Sequence, residues 1–505
     1  MRRSTSSLSV GREGRRSHTG RGRLVVSQSR PKGELAIVLH THMPYVEGFG
    51  TWPFGEEWLW EAISGSYLPL LDLLDEGAPL TLSLTPVLCD QLEAAGVDER
   101  FEAFVDEVRR RTHAEDIAGL RENGFEELAR ELERSWGEYE HVLERFRERG
   151  GDLLGALGRH AQWTSSATHA VLPLLATDAG VRAQVQTGVD SHRARFGSGW
   201  QGGFWLPECA HTPHLEPLLE EAGVHATCVE LTNRYGLGAR EHLCPLLSES
   251  GVVLVPIDRA TIARVWSDGG YPAHGSYRDY HHHTVHHHQP WANDGGTYDH
   301  ELATALARAH AEEFVAATIE RLRVANETVE GGDPLPGGGL VVCALDTELL
   351  GHWWYEGVAW LRAVVEECGR EGLKLVRLDE ATAMAQPVPL GSPEWGASTW
   401  GTEGDLSTWS GPAVADFAFA TRAAELETLA AGRKAGGAAL RELLALQASD
   451  WAFMVSRGLA VPYAQERFVG HCAEFKQALA AGPDADFSAL RNLAVHADPL
   501  ALLAP

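Results

Sequence analysis

Short apolar runs recur along the chain, separated by stretches too long for hairpin turns. Leu35–Leu39, Leu80–Leu84, Phe204–Leu206, Ala226–Val229, Val252–Ile257, Leu340–Leu345 and Leu373–Val376 are each strand-sized. Continuous apolar runs of this length fit strands buried on both faces. Between them lie stretches of helical periodicity, such as Leu215–Ala222 and Glu301–Arg323. Strands alternating with helices predict parallel βαβ units, and this many in one chain predict an α/β barrel rather than an open sheet. The segment from about residue 91 to 149 is crowded with Glu, Arg and Leu and has no strand pattern, so it reads as a helical insertion. A Pro- and Gly-rich stretch at Gln386–Gly396 reads as a boundary. The Ala- and Leu-rich residues 413–480 beyond it fit a helical bundle. The expected domains are therefore 34–395 and a helical 396–505.

Charge changes the picture at one end only. The net charge is −27, which argues against a nucleic acid ligand, because phosphate binding needs clustered Lys and Arg. Residues 1–33 hold nine Lys/Arg against one Glu, so they carry +8 and the remainder −35. That segment lacks an apolar core of the secretory kind and is expected to be a disordered basic extension. No apolar run is long enough to span a bilayer. Seven cysteines are scattered without CxxC spacing, which fits a reducing, cytoplasmic compartment.

Chemistry gathers at three strand ends. The first run closes on His40-Thr41-His42. Two histidines one residue apart on a strand point the same way. They suit either a metal pair or a grip on sugar hydroxyls. The second run leads through Trp205-Leu206-Pro207 to Glu208, with Cys209 and His211 beyond it. A carboxylate in such an interior setting is costly unless it is used or hydrogen-bonded. The third delivers Asp346 and Glu348, then His352, Trp353 and Trp354. Flat indole faces suit the C–H faces of sugar rings. Two acids from distant strands, walled by aromatic rings, are what glycosidic-bond chemistry requires. At a separation of about 5–5.5 Å one attacks the anomeric carbon and the other moves the proton, with retention of configuration. The cluster His281–His288 is read as an exposed loop, because its spacing is not that of a structural zinc site.

These residues resemble glycoside hydrolase family 57, and within it the branching-enzyme subgroup. The matching segments are Leu39-His40-Thr41-His42-Met43-Pro44-Tyr45, Trp205-Leu206-Pro207-Glu208-Cys209 and the run from Asp346 to Trp354. Trp52-Pro53-Phe54-Gly55-Glu56-Glu57-Trp58, Ala167-Thr168-His169, Val265-Trp266-Ser267 and the Trp400…Trp409 pair join them. The resemblance implies a distorted (β/α)7 barrel with a helical insertion and a helical C-terminal domain. It implies Glu208 as nucleophile, Asp346 as general acid/base, and substrate contacts from His40, His42, Trp58, His169, Trp266, Trp400 and Trp409. Trp353 joins that set on its own ring chemistry. The short stretch Thr232–Pro245 holds Tyr235, assigned to a covering loop. No metal or organic cofactor is implied. The expected partner is an α-glucan, as donor and acceptor chain, with monomer and dimer both open. Rival expectations are an α-amylase or 4-α-glucanotransferase of the same family, a non-catalytic glucan-binding protein, and a metal hydrolase built on His40, His42 and Asp346.

Overall fold

The computed structural model describes residues 33–50, 55–327, 334–390, 396–485 and 492–503. The basic extension up to residue 32, Trp52-Pro53-Phe54 and residues 391–395 of the expected boundary lie outside the described residues. Lys32–Pro505 forms one compact unit.

The strands are β1 (Glu34–Thr41), β2 (Thr81–Leu84), β3 (Ala161–Ser165), β4 (Gly203–Trp205), β5 (Ala226–Val229), β6 (Leu246–Leu247), β7 (Val253–Pro256), β8 (Leu340–Asp346), β9 (Lys374–Leu375) and β10 (Val388–Pro389). Seven of them run parallel in the order β7-β5-β4-β3-β2-β1-β8. The sheet curls into a half-barrel, and the Asp258 amide just past β7 donates to the Val342 carbonyl of β8 at 2.9 Å. The antiparallel β6 and the short β10 extend the β7 side. The run at Leu373–Val376 yields only β9. It pairs with Glu34 and Leu35 of β1, where β2 (which begins pairing at Val38) leaves the edge open.

A parallel sheet must be covered on both faces. Leu35–Leu39 and Val341–Leu345 are accordingly buried almost completely. Helices Leu68–Asp75, Asp178–Phe196, His300–Glu327 and Gly357–Glu371 surround the strands. Between β2 and β3 the chain is helical, with the long Glu126–Glu148 helix followed by the short Leu153–Gly158 helix.

Past Ser398 the described residues hold helices and no named strand. Helices Gly436–Leu446, Ser449–Arg457 and Val461–Ala481 bury Leu443, Trp451, Phe468 and Phe475 in one apolar cluster with Tyr45, Val87 and Ala167. Those last three residues follow β1, β2 and β3. Each large apolar side chain buried there contributes about 1.5–3 kcal/mol. The C-terminal helices therefore sit over the carboxyl ends of the strands, where catalytic loops gather in barrel-like folds.

Candidate active site

β1 and β8 run in register, with His40 opposite Asp346. Their ends are pinned by Thr41 Oγ1 and Thr347 Oγ1 at 2.7 Å. The His42 amide then donates to Glu348 Oε1 at 3.1 Å, and Tyr67 donates its hydroxyl to the same oxygen at 2.6 Å.

β4 ends in a tight turn. Glu208 and Cys209 hold left-handed φ angles of 63° and 49°. Such a backbone costs about 1–3 kcal/mol per residue and persists only where its surroundings fix it. Here the Cys209 amide donates to Leu206 at 2.9 Å, and the Trp400 amide donates to the Glu208 carbonyl at 3.0 Å. His169 is also left-handed, at 59°, and its carbonyl accepts from the Ser449 amide at 3.1 Å.

The Glu208 carboxyl is held at both oxygens. Ser449 donates its hydroxyl to Oε1 at 2.9 Å, and Trp400 donates Nε1–H to Oε2 at 2.8 Å. His169 Nδ1 lies 2.9 Å from the Ser449 hydroxyl and 3.8 Å from Glu208. Its Nε2 meets His40 Nε2 at 2.9 Å. His42 Nε2 meets Asp450 Oδ1 at 2.9 Å. The rings are layered: His40 stacks on Trp205 at 4.6 Å and His42 on His169 at 4.0 Å.

Burial decides most of the charge states. It pushes Glu208 up to about 7, with the Asp346 charge adding to the rise and the Trp400 and Ser449 bonds opposing it. Burial also raises Asp346 to about 6 against the pull of His42, and Glu348 to about 8. The Asp346 side chain still opens to water in the cleft, which tempers its rise. His40 and His169 are driven well below the ordinary imidazole value by burial, so both are neutral. Burial alone would lower His42 too, but the Asp450 carboxylate together with Glu348 and Glu208 outweighs it and leaves His42 raised. His42 acts electrostatically on Asp346, Glu348 and Glu208 together. Asp346 in turn acts on Glu208, so acids from β4 and β8 share one electrostatic neighbourhood.

His42, His169 and Asp450 bring potential metal-binding atoms within 4.8 Å of one another. An imidazole lone pair lies in the plane of its ring, whereas these two rings stack at 4.0 Å with 20° between planes. Their lone pairs do not converge, so the cluster would need a ring to turn before it held an ion.

The remaining expected residues divide by exposure. Trp400 meets Glu208 directly and packs edge-on against Trp205 at 5.1 Å. Trp266 and Trp353 are open, at 55% and 43% exposure, and Trp353 stacks on Tyr280 at 5.0 Å. Trp58 is half-buried, edge-on to Tyr463 at 5.6 Å. Trp409 is only 3% exposed and packs beneath the turn that carries Trp400. Tyr235 ends the short Thr232–Tyr235 turn, half-buried, with Arg234 over its ring. His281–His288 forms a loop anchored by Asp116 and by His288 against His113 at 3.7 Å. Among the described residues that loop contributes no three-ligand cluster.

Sequence reading missed Ser449, Asp450 and Tyr67. Ser449 and Asp450 look like the polar start of a helix, and Tyr67 like a core aromatic.

The glycosyl hydrolase family 57 profile matches residues 36–389, and that of the 1,4-alpha-glucan branching enzyme C-terminal region matches residues 417–496. A 1,4-alpha-glucan branching enzyme of Thermococcus kodakarensis is 32% identical over 88% of this chain and 73% of its own length. A probable 1,4-alpha-glucan branching enzyme of Mycobacterium tuberculosis is 31% identical over 90% of this chain and 94% of its own. The crystal structure of a branching enzyme from Pyrococcus horikoshii superposes with a TM-score of 0.83 at 29% identity, covering 93% of this chain and 97% of that one. With a family profile spanning most of its length and relatives above 30% identity, this chain belongs to glycosyl hydrolase family 57.

Proposed function

We propose that the chain acts as a 1,4-α-glucan branching enzyme. It cleaves an α-1,4 link, carries the released glucan as an ester on Glu208, and passes it to a 6-hydroxyl to make an α-1,6 branch. The similarity to branching enzymes over both regions of the chain supports the activity. The chemistry rests on one observation: the Glu208 carboxyl is gripped at both oxygens by Trp400 and Ser449, with the Asp346 charge acting on it.

Two donors favour the Glu208 anion and aim it. Among the described residues no hydrogen-bond donor reaches the Asp346 carboxyl. A glucan that displaces the water around Asp346 raises its hold on a proton, so Asp346 becomes the acid that protonates the departing oxygen. Once ionised, it accepts the proton of the incoming 6-hydroxyl. Retention by this route needs the two carboxyls about 5–5.5 Å apart.

We read the seven parallel strands as a distorted (β/α)7 barrel within 34–395, with the helical stretch of about 91–149 inserted. In this reading the helical 396–505 completes the acceptor side. Trp400, Ser449 and Asp450, which bond to Glu208 and His42, support that reading. The open faces of Trp266 and Trp353 suit sugar rings; we read His42 and Trp58 as further substrate contacts and the Tyr235 turn as the cover. Trp409 serves by holding the Trp400 turn. The substrate is a glycogen-type glucan. A cytoplasmic location fits seven free cysteines. Among the described residues no helix is long and apolar enough to cross a membrane.

The test is incubation with amylose, then counting α-1,6 links by debranching. The wild type is expected to form them and Glu208→Gln to lose all but a trace. New reducing ends without branches would reassign the chain to hydrolysis, and new chain lengths without branches to 4-α-glucan transfer.

A further inference from the structure

We propose that Ser83, His40, His169 and Ser449 form a one-way file of hydrogen bonds ending on Glu208, which makes Ser449, His169 and His40 positioning residues for the nucleophile. The inference rests on Glu208 being that nucleophile.

The file is continuous and buried. Ser83 Oγ lies 3.3 Å from His40 Nδ1, and His40 Nε2 lies 2.9 Å from His169 Nε2. His169 Nδ1 lies 2.9 Å from Ser449 Oγ, which lies 2.9 Å from Glu208 Oε1. Proton counting fixes its direction. An ionised carboxylate only accepts, so the one Ser449 proton points to Glu208. Ser449 must then accept from His169 Nδ1–H. A neutral imidazole carries one N–H, so His169 Nε2 is bare and accepts from His40 Nε2–H. His40 Nδ1 is bare in turn and accepts from the Ser83 hydroxyl. His40 and His169 therefore hold opposite tautomers.

The surroundings keep both rings neutral. Burial disfavours a charge on either, and the neighbouring His42 repels one. The charged and titratable groups facing the file are His42 just past β1, Asp346 at the end of β8, Glu348 beyond it, and Asp450 from the Ser449–Arg457 helix. Asp450 engages His42, not the file itself. Only a protonated Glu208 would let every bond reverse. The carboxylate and the glycosyl ester both still need a donor, so the file keeps one direction through the reaction. It thereby opposes protonation of Glu208.

This reading separates His40 and His169 from His42. The sequence grouped all three as substrate contacts. Their ring nitrogens here are spent within the file, while His42 is held by Asp450 and Thr85.

The test uses the full chain labelled with ¹⁵N-histidine at a pH above the Glu208 titration, with signals assigned through His40→Gln and His169→Gln. His40 is expected as the Nε2–H tautomer and His169 as the less common Nδ1–H tautomer. Ser449→Ala should erase the His169 preference. It should also lower kcat about ten- to a hundredfold with KM nearly unchanged, and move the acid limb of the pH profile upward. Ser449→Thr, which keeps the hydroxyl, should recover most of the rate. Two Nε2–H histidines, a protonated ring, or equal losses in the Ala and Thr variants would overturn the file. Branching that survives Glu208→Gln would instead overturn the nucleophile assignment, which the tautomers do not report.

Discussion

Replacing Trp400 by Phe removes one hydrogen from the grip on Glu208 while leaving a ring against Trp205. The main-chain bonds of residue 400, to the Glu208 carbonyl and from Arg259, do not depend on the side chain. A hydrogen bond to a charged group contributes about 1.5–3 kcal/mol, or about 1–2 pKa units at about 1.36 kcal/mol each. The Glu208 value would climb from about 7 to about 8–9, while Asp346 stays at about 6. In the free enzyme kcat/KM follows the Glu208 anion fraction multiplied by the Asp346 acid fraction, and it peaks midway between the two values. The optimum should therefore move from about pH 6.5 to about 7–7.5, and the peak should fall about sevenfold to sixtyfold. The two profiles should converge only above about pH 9, where Glu208 is ionised in both proteins. Debranching-linked rates on amylose from about pH 5 to 9, with circular dichroism to check folding, would show this. An unmoved optimum, an acid shift, or a loss confined to KM would refute the reasoning.

Glu348→Gln tests a second buried acid. Glu348 is raised to about 8 from a reference of 4.5, so the native state binds its proton more tightly than the unfolded chain. Wild-type stability should then fall as pH rises through that window, whereas the Gln variant has no proton to lose. Melting curves should show the variant gaining on the wild type by up to a few kcal/mol between about pH 5 and 9; parallel curves would contradict this. Gly351 sits at φ 97°, and a Cβ there would come within 1.9 Å of the Gly65 carbonyl oxygen. Gly351→Ala should cost about 3 kcal/mol or more in urea unfolding, and a cost under about 1 kcal/mol would mean the turn yields. Trp409→Ala should cost about 3–5 kcal/mol by opening a cavity beneath the Trp400 turn. It should also lower branching more than hydrolysis; equal losses would detach Trp409 from the acceptor side.

The sequence made the strand ends legible because a parallel strand buried on both faces has to be apolar until its carboxyl end. Polar residues first appear there, as at His40, Glu208 and Asp346. β3 escaped notice because Ala161-Gln162-Trp163-Thr164-Ser165 has no apolar run, although Trp163 is fully buried. Leu373–Val376 looked equal to the other runs, yet only an open edge of β1 was left for it. Ser449 and Asp450 were illegible for another reason. They reach the site from over 400 residues beyond His42, and only the docking of the C-terminal helices over β1–β3 brings them there. His281–His288 is a loop, as expected, but not an exposed one throughout: His288 is buried, because the loop packs through Asp116 and His113 against the helical stretch between β2 and β3.

The most direct test of the two-acid mechanism is to trap the ester. Incubation with a fluorinated glucosyl fluoride that forms the intermediate quickly and releases it slowly, followed by peptide mass spectrometry, should place one added sugar on Glu208. Asp346→Asn should still form that adduct, because fluoride leaves without an acid. A label on Asp346, or an unlabelled protein that nevertheless branches amylose, would contradict the account.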